Sequence, residues 1–408
     1  MPLFAHGPVV APPGVSLAGW LSCLRGRAPL VLAPSSAAGW FGGTPIVACD
    51  PVSFDTLPAD VRVPYRLTPS LARAGACLDA GIRGECLSVA LLGYDGSGAA
   101  ARYRRGLLLA KGGWRTWGEW GGALLPQPGE IAPLPAGRRL LGAPSSDLDE
   151  KAYGSLVRRV AAAIGAGDVY VLNLTRRLRG HALADEAVTF ATLSARTEAT
   201  MGAAWELPGG TVVSASPERF LELRGRLALI SPVKGTRARG RTADEDGALR
   251  VGLLGCEKER AEHVMVVDLE RNDLGRICEP GSVQVSPLMS VETTLYCHQL
   301  VSRVGGILAE GIGCADVLAA TFPCGSVTGA PKRAAMRLIS RLEASARGVY
   351  TGSLMVATNG RLDSSVLIRT AVMQSGLLTY GTGCGITIES DPAFEWRESV
   401  LKTSPLTK

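Results

Sequence analysis

Short apolar runs separated by glycine and proline mark the first third of the chain. Residues 29–33, 45–48 and 105–110 are each bounded by turn-forming residues, and this spacing predicts short strands. Residues 126–144 are rich in Pro and Gly and predict a connection. The period then changes. Residues 145–149 predict a helix start, with Asp147 or Asp149 as cap, and Tyr153, Leu156, Val157, Val160 and Ile164 follow at helical spacing until Gly165 and Gly167. Strands are predicted over 169–174, 211–216, 226–233, 354–358, 366–373 and 377–382. A long helix is predicted over 257–274. Another is predicted from Thr328 as N-cap, with Pro331 in its first turn, through Leu342, and a short one over 395–402. There is no internal repeat. Strands and helices without strict alternation predict a mixed α/β or α+β class.

Composition narrows the function classes. The 408 residues allow two or three domains or one large unit. Apolar residues make up 46% but aromatics only 5%, so the core must be mostly Ala, Leu and Val. The balance of 43 basic and 37 acidic residues gives +6, with both signs interspersed. That demands no polyanionic partner and is compatible with a small acidic substrate. Ten cysteines form no C-x-x-C pair, and only four histidines accompany them, so zinc of the usual spacing is excluded. The start MPLFAHGPVV lacks the charged and apolar regions of an export signal. The uncharged stretch 28–49 is broken by Pro29, Pro34 and Pro45 and is not a membrane span. Scattered free thiols without an export signal predict a cytoplasmic protein.

Two sets of residues could carry chemistry. Glu259 and Glu262 on one predicted helix, and Glu395 and Glu398 on another, are each spaced i,i+3 and so lie on one face. If the faces meet, four carboxylates converge, a hard oxygen set that suits Mg²⁺. Taken singly, each pair reads equally as a solvated helix face. The second set is three glycine-bracketed motifs, SPVKGTRARG at 231–240, FPCGSVTGAPK at 322–332 and YGTGCGIT at 380–387. Glycines let backbone N–H groups approach a carboxylate or phosphate closely. GSVTGAPK lacks the P-loop frame.

Read together, these motifs resemble the chorismate-utilising enzymes: component I of anthranilate synthase and of aminodeoxychorismate synthase, and the isochorismate and salicylate synthases. The landmarks in family order are GDVYVLNL, SPERF, KGTRARG, ERAEHVMVVDLERNDLGRI, His298, FPCGSVTGAPK, Tyr350, LIRTA, GTGCGI and EWRES. They fall within 150–403, which divides the chain into an N-terminal component-I-like region, 1–145, and a chorismate-binding catalytic region, 146–408. The resemblance implies an α+β fold with antiparallel sheets packed in the core and helices outside.

Within the family one position discriminates. Anthranilate and isochorismate synthases usually carry alanine where this chain has Lys234, and a lysine there resembles aminodeoxychorismate synthase component I. The resemblance implies that Lys234 is a nucleophile. Its amine adds to chorismate and expels the ring hydroxyl, and ammonia then expels the lysine, so that one hard substitution becomes two allylic ones. Glu218 then resembles the general acid/base. Glu262 and Glu398 resemble the Mg²⁺ ligands, with Glu259 and Glu395 acting through water. Arg369 and Tyr350 resemble a clamp on a substrate carboxylate. Gly235, Thr236, Gly383 and Gly385 resemble hydrogen-bond donors, Thr328 a further substrate contact, and His298 the histidine beside the ring hydroxyl. Lys402, one turn beyond Glu398, is placed near substrate or metal. Cys324 and Cys384 stand where the family usually has glycine, Val171 where glutamine is common and Ala238 where proline is usual. The tryptophan-binding L-L-E-S stretch is replaced by residues 29–39.

No glutaminase motif is present, so the expected partner is a separate glutamine amidotransferase subunit that supplies ammonia, with a separate lyase completing p-aminobenzoate for folate synthesis. The alternatives are anthranilate synthase component I or isochorismate synthase, and a non-catalytic, partner-binding paralogue. Nucleic-acid binding through the basic run 234–241 is disfavoured by its lack of interleaved aromatics.

Overall fold

The apolar runs of the sequence are strands covered on both faces. In Leu87–Leu92 every side chain is buried. Leu87, Val89 and Leu91 join Leu30, Leu32, Trp205 and Leu354 in one cluster, while Ala90 and Leu92 join Leu71, Leu78 and Val317 in another. The period of two is intact, but both faces are apolar, so no alternation shows in the sequence. The computed structural model describes residues 9–11, 16–33, 39–59, 66–110, 113–118, 120, 128–197, 199–293 and 297–407. The side chains of 9–11, Gly42, Thr236 and Lys258 fall outside that description, as do residues 126–127 of the predicted connection and 34–38 of the 29–39 stretch.

Among the described residues the strands form sheets of twelve, nine and three, with antiparallel pairing throughout. The twelve-stranded sheet places Met201–Leu207, Gly210–Ser216, Thr370–Gln374, Leu377–Ile386 and Val171–Ala182 side by side. In the nine-stranded sheet, Leu227–Ile230, Arg219–Arg224, Arg361–Val366, Ser353–Thr358 and Leu87–Leu92 are neighbours. The cluster built from Leu30, Trp205, Leu87 and Val356 lies between the two large sheets. Helices cover the outside: Pro69–Ile82 and Cys314–Thr321 on the nine-stranded sheet, Leu17–Cys23 and Glu186–Arg196 on the twelve-stranded one. Glu150–Gly165 packs with Pro392–Leu401. This is the α+β arrangement expected. Strands from either side of residue 145 pair within both large sheets, so the two regions named from sequence belong to one packed unit.

The chain passes several times from one large sheet to the other, and two of the passages bear on the site. Only Pro217 and Glu218 separate Gly210–Ser216 from Arg219–Arg224. Only Leu367, Ile368 and Arg369 separate Arg361–Val366 from Thr370–Gln374. The predicted single strand over 366–373 is therefore two strands, and Arg369 makes the bend at φ +49°. The passages are tied together: Val366 N–H donates to the Glu218 carbonyl and Ala215 N–H to that of Arg369, each at 3.0 Å.

Other expectations are corrected in detail. The predicted strand over 226–233 splits into Leu227–Ile230 and Val233–Ala238, which belong to different sheets. The helix predicted from Thr328 begins instead at Lys332 with Pro331 as cap, and Thr328 closes the short turn Gly325–Val327. Leu141–Ser146 is a strand within the expected connection and helix start, and Asp149 caps Glu150–Gly165. The long helix spans Glu257–Gly275.

Candidate active site

Val233–Ala238 carries Lys234 and pairs with Cys297–Val301, with a register shift between Lys234 and Thr236. Gly235, at φ +64°, makes that shift, a conformation costly for any residue with a Cβ. The Lys234 Nζ reaches to 3.9 Å from where a Cβ on Gly385 would stand. Gly385 lies on Leu377–Ile386 opposite Asn173. The lysine from the small sheet therefore points at a bare stretch of the twelve-stranded sheet.

Glu218, in the first passage, is 9% exposed. Burial raises its carboxyl above the ordinary range, opposed by a hydrogen bond from Ser326 and by the nearby charge of Lys234. A carboxyl so raised is better placed than an ordinary one to give and take a proton. Sequence reading missed His263, on Glu257–Gly275. Its Nε2 lies 2.6 Å from Ser302 Oγ, and burial, then Lys234, lowers it to about 4, so it is neutral. Its placement one turn beyond Glu259, on the same face, was the available signal.

The carboxylates are distributed around this centre. Glu259 Oε1 accepts from Arg237 at 2.6 Å, while its Oε2 is buried without a hydrogen-bond partner and abuts Gly235. Glu262 is half-buried on the same helix. Glu395 is buried and accepts from Ser390 Oγ at 2.8 Å. Glu398 pairs with Lys402 at 2.7 Å, and Lys402 Nζ also donates to the Gly383 carbonyl at 2.9 Å. Ligand atoms of Glu395, Glu398 and Cys384 lie within 4.8 Å of one another; Glu259 and Glu262 are outside that trio. Burial pushes the Cys384 thiol up to about 12, so it stays protonated, and it donates to the Glu395 carbonyl. That leaves the carboxylate oxygens of Glu395 and Glu398 as the donors brought together, with the unpartnered Glu259 Oε2 outside that group. Such a set fits a hard divalent cation such as Mg²⁺ and not a soft metal.

The remaining expected residues take varied positions. The Tyr350 ring lies flat against Gly381, where a Cβ would come to 2.1 Å from its Cγ. Arg369 is exposed at its bend. The Thr328 hydroxyl donates to the Cys324 and Gly325 carbonyls at 3.1 and 3.2 Å, so here it serves the turn. His298 is buried, with Nδ1 2.8 Å from Thr293 Oγ1 and Nε2 2.9 Å from Asp246 Oδ1. Both its ring nitrogens are thus engaged within the protein. The basic run is also paired, Arg237 with Glu259 and Arg239 with Asp246.

Toward the Thr379 end of the same sheet face lies an open cavity of about 430 Å³, bordered by Arg177, Arg179, Arg347, Tyr350 and Gly381. Beneath it Glu343, 3% exposed at its side chain, binds Arg347 at 2.8 Å and Arg177 at 3.2 Å. It also accepts from the Thr175 N–H and hydroxyl at 2.9 and 2.8 Å. Arg347 in turn donates to the carbonyls of Val327 and Asn173, at 2.7 and 2.6 Å. This network fastens the 322–332 motif to the strand Val171–Ala182.

Residues 129–408 match the model of the chorismate binding enzymes. An aminodeoxychorismate synthase of Streptomyces pristinaespiralis is 42% identical over 252 residues, 61% of this chain and 35% of the relative. Aminodeoxychorismate synthase component 1 of Klebsiella aerogenes is 38% identical over 276 residues, 67% and 61% of the two chains. An anthranilate synthase component I-like protein of Synechocystis is 40% identical over 261 residues, 63% and 54%. The match thus spans between about a third and three fifths of these curated relatives. In fold, the chain is similar to anthranilate synthase component I of Streptococcus pneumoniae, with TM-score 0.75, 24% identity and coverage of 90% and 92%. It is also similar to the menaquinone-specific isochorismate synthase MenF of Escherichia coli, with TM-score 0.77, 18% identity and coverage of 98% and 95%. No helix among the described residues is long and apolar enough to cross a membrane. With its family segment covering well over half of the sequence and the same motifs gathered around Lys234 and Glu218, the chain belongs to the chorismate-binding enzyme family.

Proposed function

We propose that the protein is an aminodeoxychorismate synthase component I, which converts chorismate and ammonia to 4-amino-4-deoxychorismate. The observation that carries this reading is Lys234, an amine beside the bare backbone of Gly385 and near the buried carboxyl of Glu218. Relatives named for this activity and for anthranilate synthesis match at similar identity, so overall likeness does not choose between them. Lys234 does, because only a nucleophile at this point makes a two-step displacement available.

In the proposed reaction Glu218 protonates the departing ring hydroxyl as the Lys234 amine adds, and later takes a proton from the incoming ammonia. Tyr350 and Arg369 orient a ring carboxylate, and backbone groups at Gly235, Gly383 and Gly385 hydrogen-bond it. Glu262 and Glu398, with Glu259 and Glu395 behind them, would hold Mg²⁺. When bound, the ion would neutralise a substrate carboxylate and raise its hold on the site. Ammonia would come from a separate glutamine amidotransferase subunit, in a cytoplasmic route to p-aminobenzoate and folate.

Product analysis with chorismate, Mg²⁺ and ammonium tests the reading. The expected product is 4-amino-4-deoxychorismate without release of pyruvate. With ammonium withheld, intact mass should show an adduct of chorismate minus water that maps to Lys234 and is missing from Lys234→Ala. Anthranilate plus pyruvate, or isochorismate, as main product refutes it.

A further inference from the structure

Near enough to Glu218 to feel its charge, the interior holds a second carboxyl. Glu270, on Glu257–Gly275, is 1% exposed, and its Oε2 is buried without a hydrogen-bond partner. Between the two lie two hydrogen-bonding side chains of the FPCGS segment. Cys324 Sγ, 4% exposed as a residue, is 3.6 Å from Glu270 Oε1 and 3.2 Å from Ser326 Oγ. Ser326 in turn neighbours the Glu218 carboxyl and counteracts the effect of burial on it. Glu270, Cys324, Ser326 and Glu218 therefore form an unbroken chain of groups, each within reach of the next.

We propose that Glu270, Cys324 and Ser326 are a proton relay that resets the charge state of Glu218. The proposal rests on Glu218 acting as the acid/base of the preceding section. The donor inventory allows two arrangements of the same protons. In one, neutral Glu270 donates to Cys324 Sγ, the thiol donates to Ser326 Oγ, and the hydroxyl donates to ionised Glu218. In the other, each proton has moved one link: Glu218 is neutral and donates to Ser326, the hydroxyl donates to Cys324, and the thiol donates to ionised Glu270. One O–H bond is lost at Glu270 and one is formed at Glu218. The thiol and hydroxyl each exchange one proton for another, and the total charge of the chain stays at one negative.

The surroundings favour a single shared charge. Two buried carboxylates that feel each other's charge cannot both ionise cheaply. Burial, then the charges of Glu218 and Asp273, push Glu270 well above the ordinary range, against a smaller pull from Lys332. Lys332 is itself held by Asp273 at 2.5 Å and by the Thr321 carbonyl at 2.7 Å. Glu218 faces Lys234 on its other side. At rest the proton therefore sits on Glu270. In turnover it passes along the chain to Glu218 as Glu218 protonates the leaving hydroxyl, and Glu270 regains a proton through the same links when ammonia delivers one to Glu218.

The test compares wild type, Cys324→Ala, Cys324→Ser and Glu270→Gln. The first readout is the pH profile of kcat for aminodeoxychorismate formation, and the second is the carboxylic C=O infrared band of the ligand-free protein at neutral pH. With the reservoir cut off in Cys324→Ala and Glu270→Gln, Glu218 stays deprotonated at lower pH. The alkaline limb of kcat should move down, with a loss of at least about tenfold on that limb and KM little changed. Cys324→Ser supplies a hydroxyl in place of the thiol and should return the limb to its wild-type position, which a packing role for Cys324 would not require. The carboxylic band should disappear in Glu270→Gln and shift in Cys324→Ala. A limb at the wild-type position in both Cys324→Ala and Glu270→Gln overturns the relay, and so does a band unchanged in both. A wild-type product other than aminodeoxychorismate refutes the proposed function instead, and the infrared arm then decides whether the shared proton exists.

Discussion

Glu343→Gln is the sharpest probe of how the site is held. The side chain is 3% exposed and faces two guanidiniums, Arg347 at 2.8 Å and Arg177 at 3.2 Å, while also accepting from Thr175. Burial alone would raise its carboxyl, but Arg347, Arg177 and Thr175 outweigh burial and hold it below the ordinary range. Glutamine keeps the volume and one carbonyl oxygen but removes the charge, and turns an N–H₂ group toward other donors. Breaking a buried pair in this way costs about 3–5 kcal/mol, and the retained carbonyl places the expected loss near the lower end. Against a typical total of about 5–15 kcal/mol, the variant should still fold. Urea unfolding at pH 7 should show a lower midpoint with an unchanged slope.

The pH dependence supplies a second check. A carboxyl whose folded value is depressed contributes fully above its unfolded value of about 4.3, and the contribution fades as pH falls through the folded value. The advantage of wild type over Glu343→Gln should therefore be complete at pH 7 and shrink in acid. A difference within about 0.5 kcal/mol at pH 7, or one that grows on acidification, would refute the reasoning. Because Arg347 ties Val327 to Asn173, KM for chorismate should rise as well.

Three further outcomes are expected. Gly381→Ala forces a methyl to 2.1 Å from the Tyr350 ring; thermal unfolding should show a loss of about 1–3 kcal/mol with a raised KM, and a wild-type Tm would contradict the packing. Glu262→Ala or Glu398→Ala should abolish Mg²⁺-dependent turnover with an unchanged circular dichroism spectrum, and wild-type rates at limiting Mg²⁺ would remove both from the metal site. Burial raises the folded value of Glu218, so its share of stability is present at low pH and is lost as pH rises through that value. Glu218→Gln should therefore gain stability relative to wild type as pH increases, and parallel stability curves would show that the group does not titrate in the fold.

The motifs around Lys234, Glu218 and the 395–399 segment were legible because their chemistry is local in sequence: a nucleophile before Gly235, a carboxyl in SPERF, two glutamates one turn apart. Strand positions were largely legible from apolar runs bounded by glycine and proline. The bend at Arg369 was not, because Val366 to Met373 are apolar almost throughout and nothing local announces the change of sheet. The helix Ala243–Gly255 was not identified either, since its first turn is acidic and it buries only Leu253. Glu270, Asp273 and Glu343 were not singled out from the sequence. Lys332 and Arg177, which pair with Asp273 and Glu343, come from other elements and are brought near only by the fold. Ser326 and Cys324 were visible as letters in a motif, but not as links between two carboxyls.

Two of the passages between the large sheets, those at Glu218 and Arg369, limit how this gene can change length. Two residues, Pro217 and Glu218, make one crossing, and three residues, Leu367 to Arg369, make the other. Each is flanked by strands whose partners lie in different sheets, and the two are bonded to each other. Inserting or deleting a single residue at either crossing would turn the alternation of the following strand inside out and carry Glu218 or Arg369 away from the other. Natural length variation in relatives that keep the activity should therefore collect at the opposite strand ends, such as the turns at 208–209, 359–360 and 375–376, and be missing from 217–218 and 367–369.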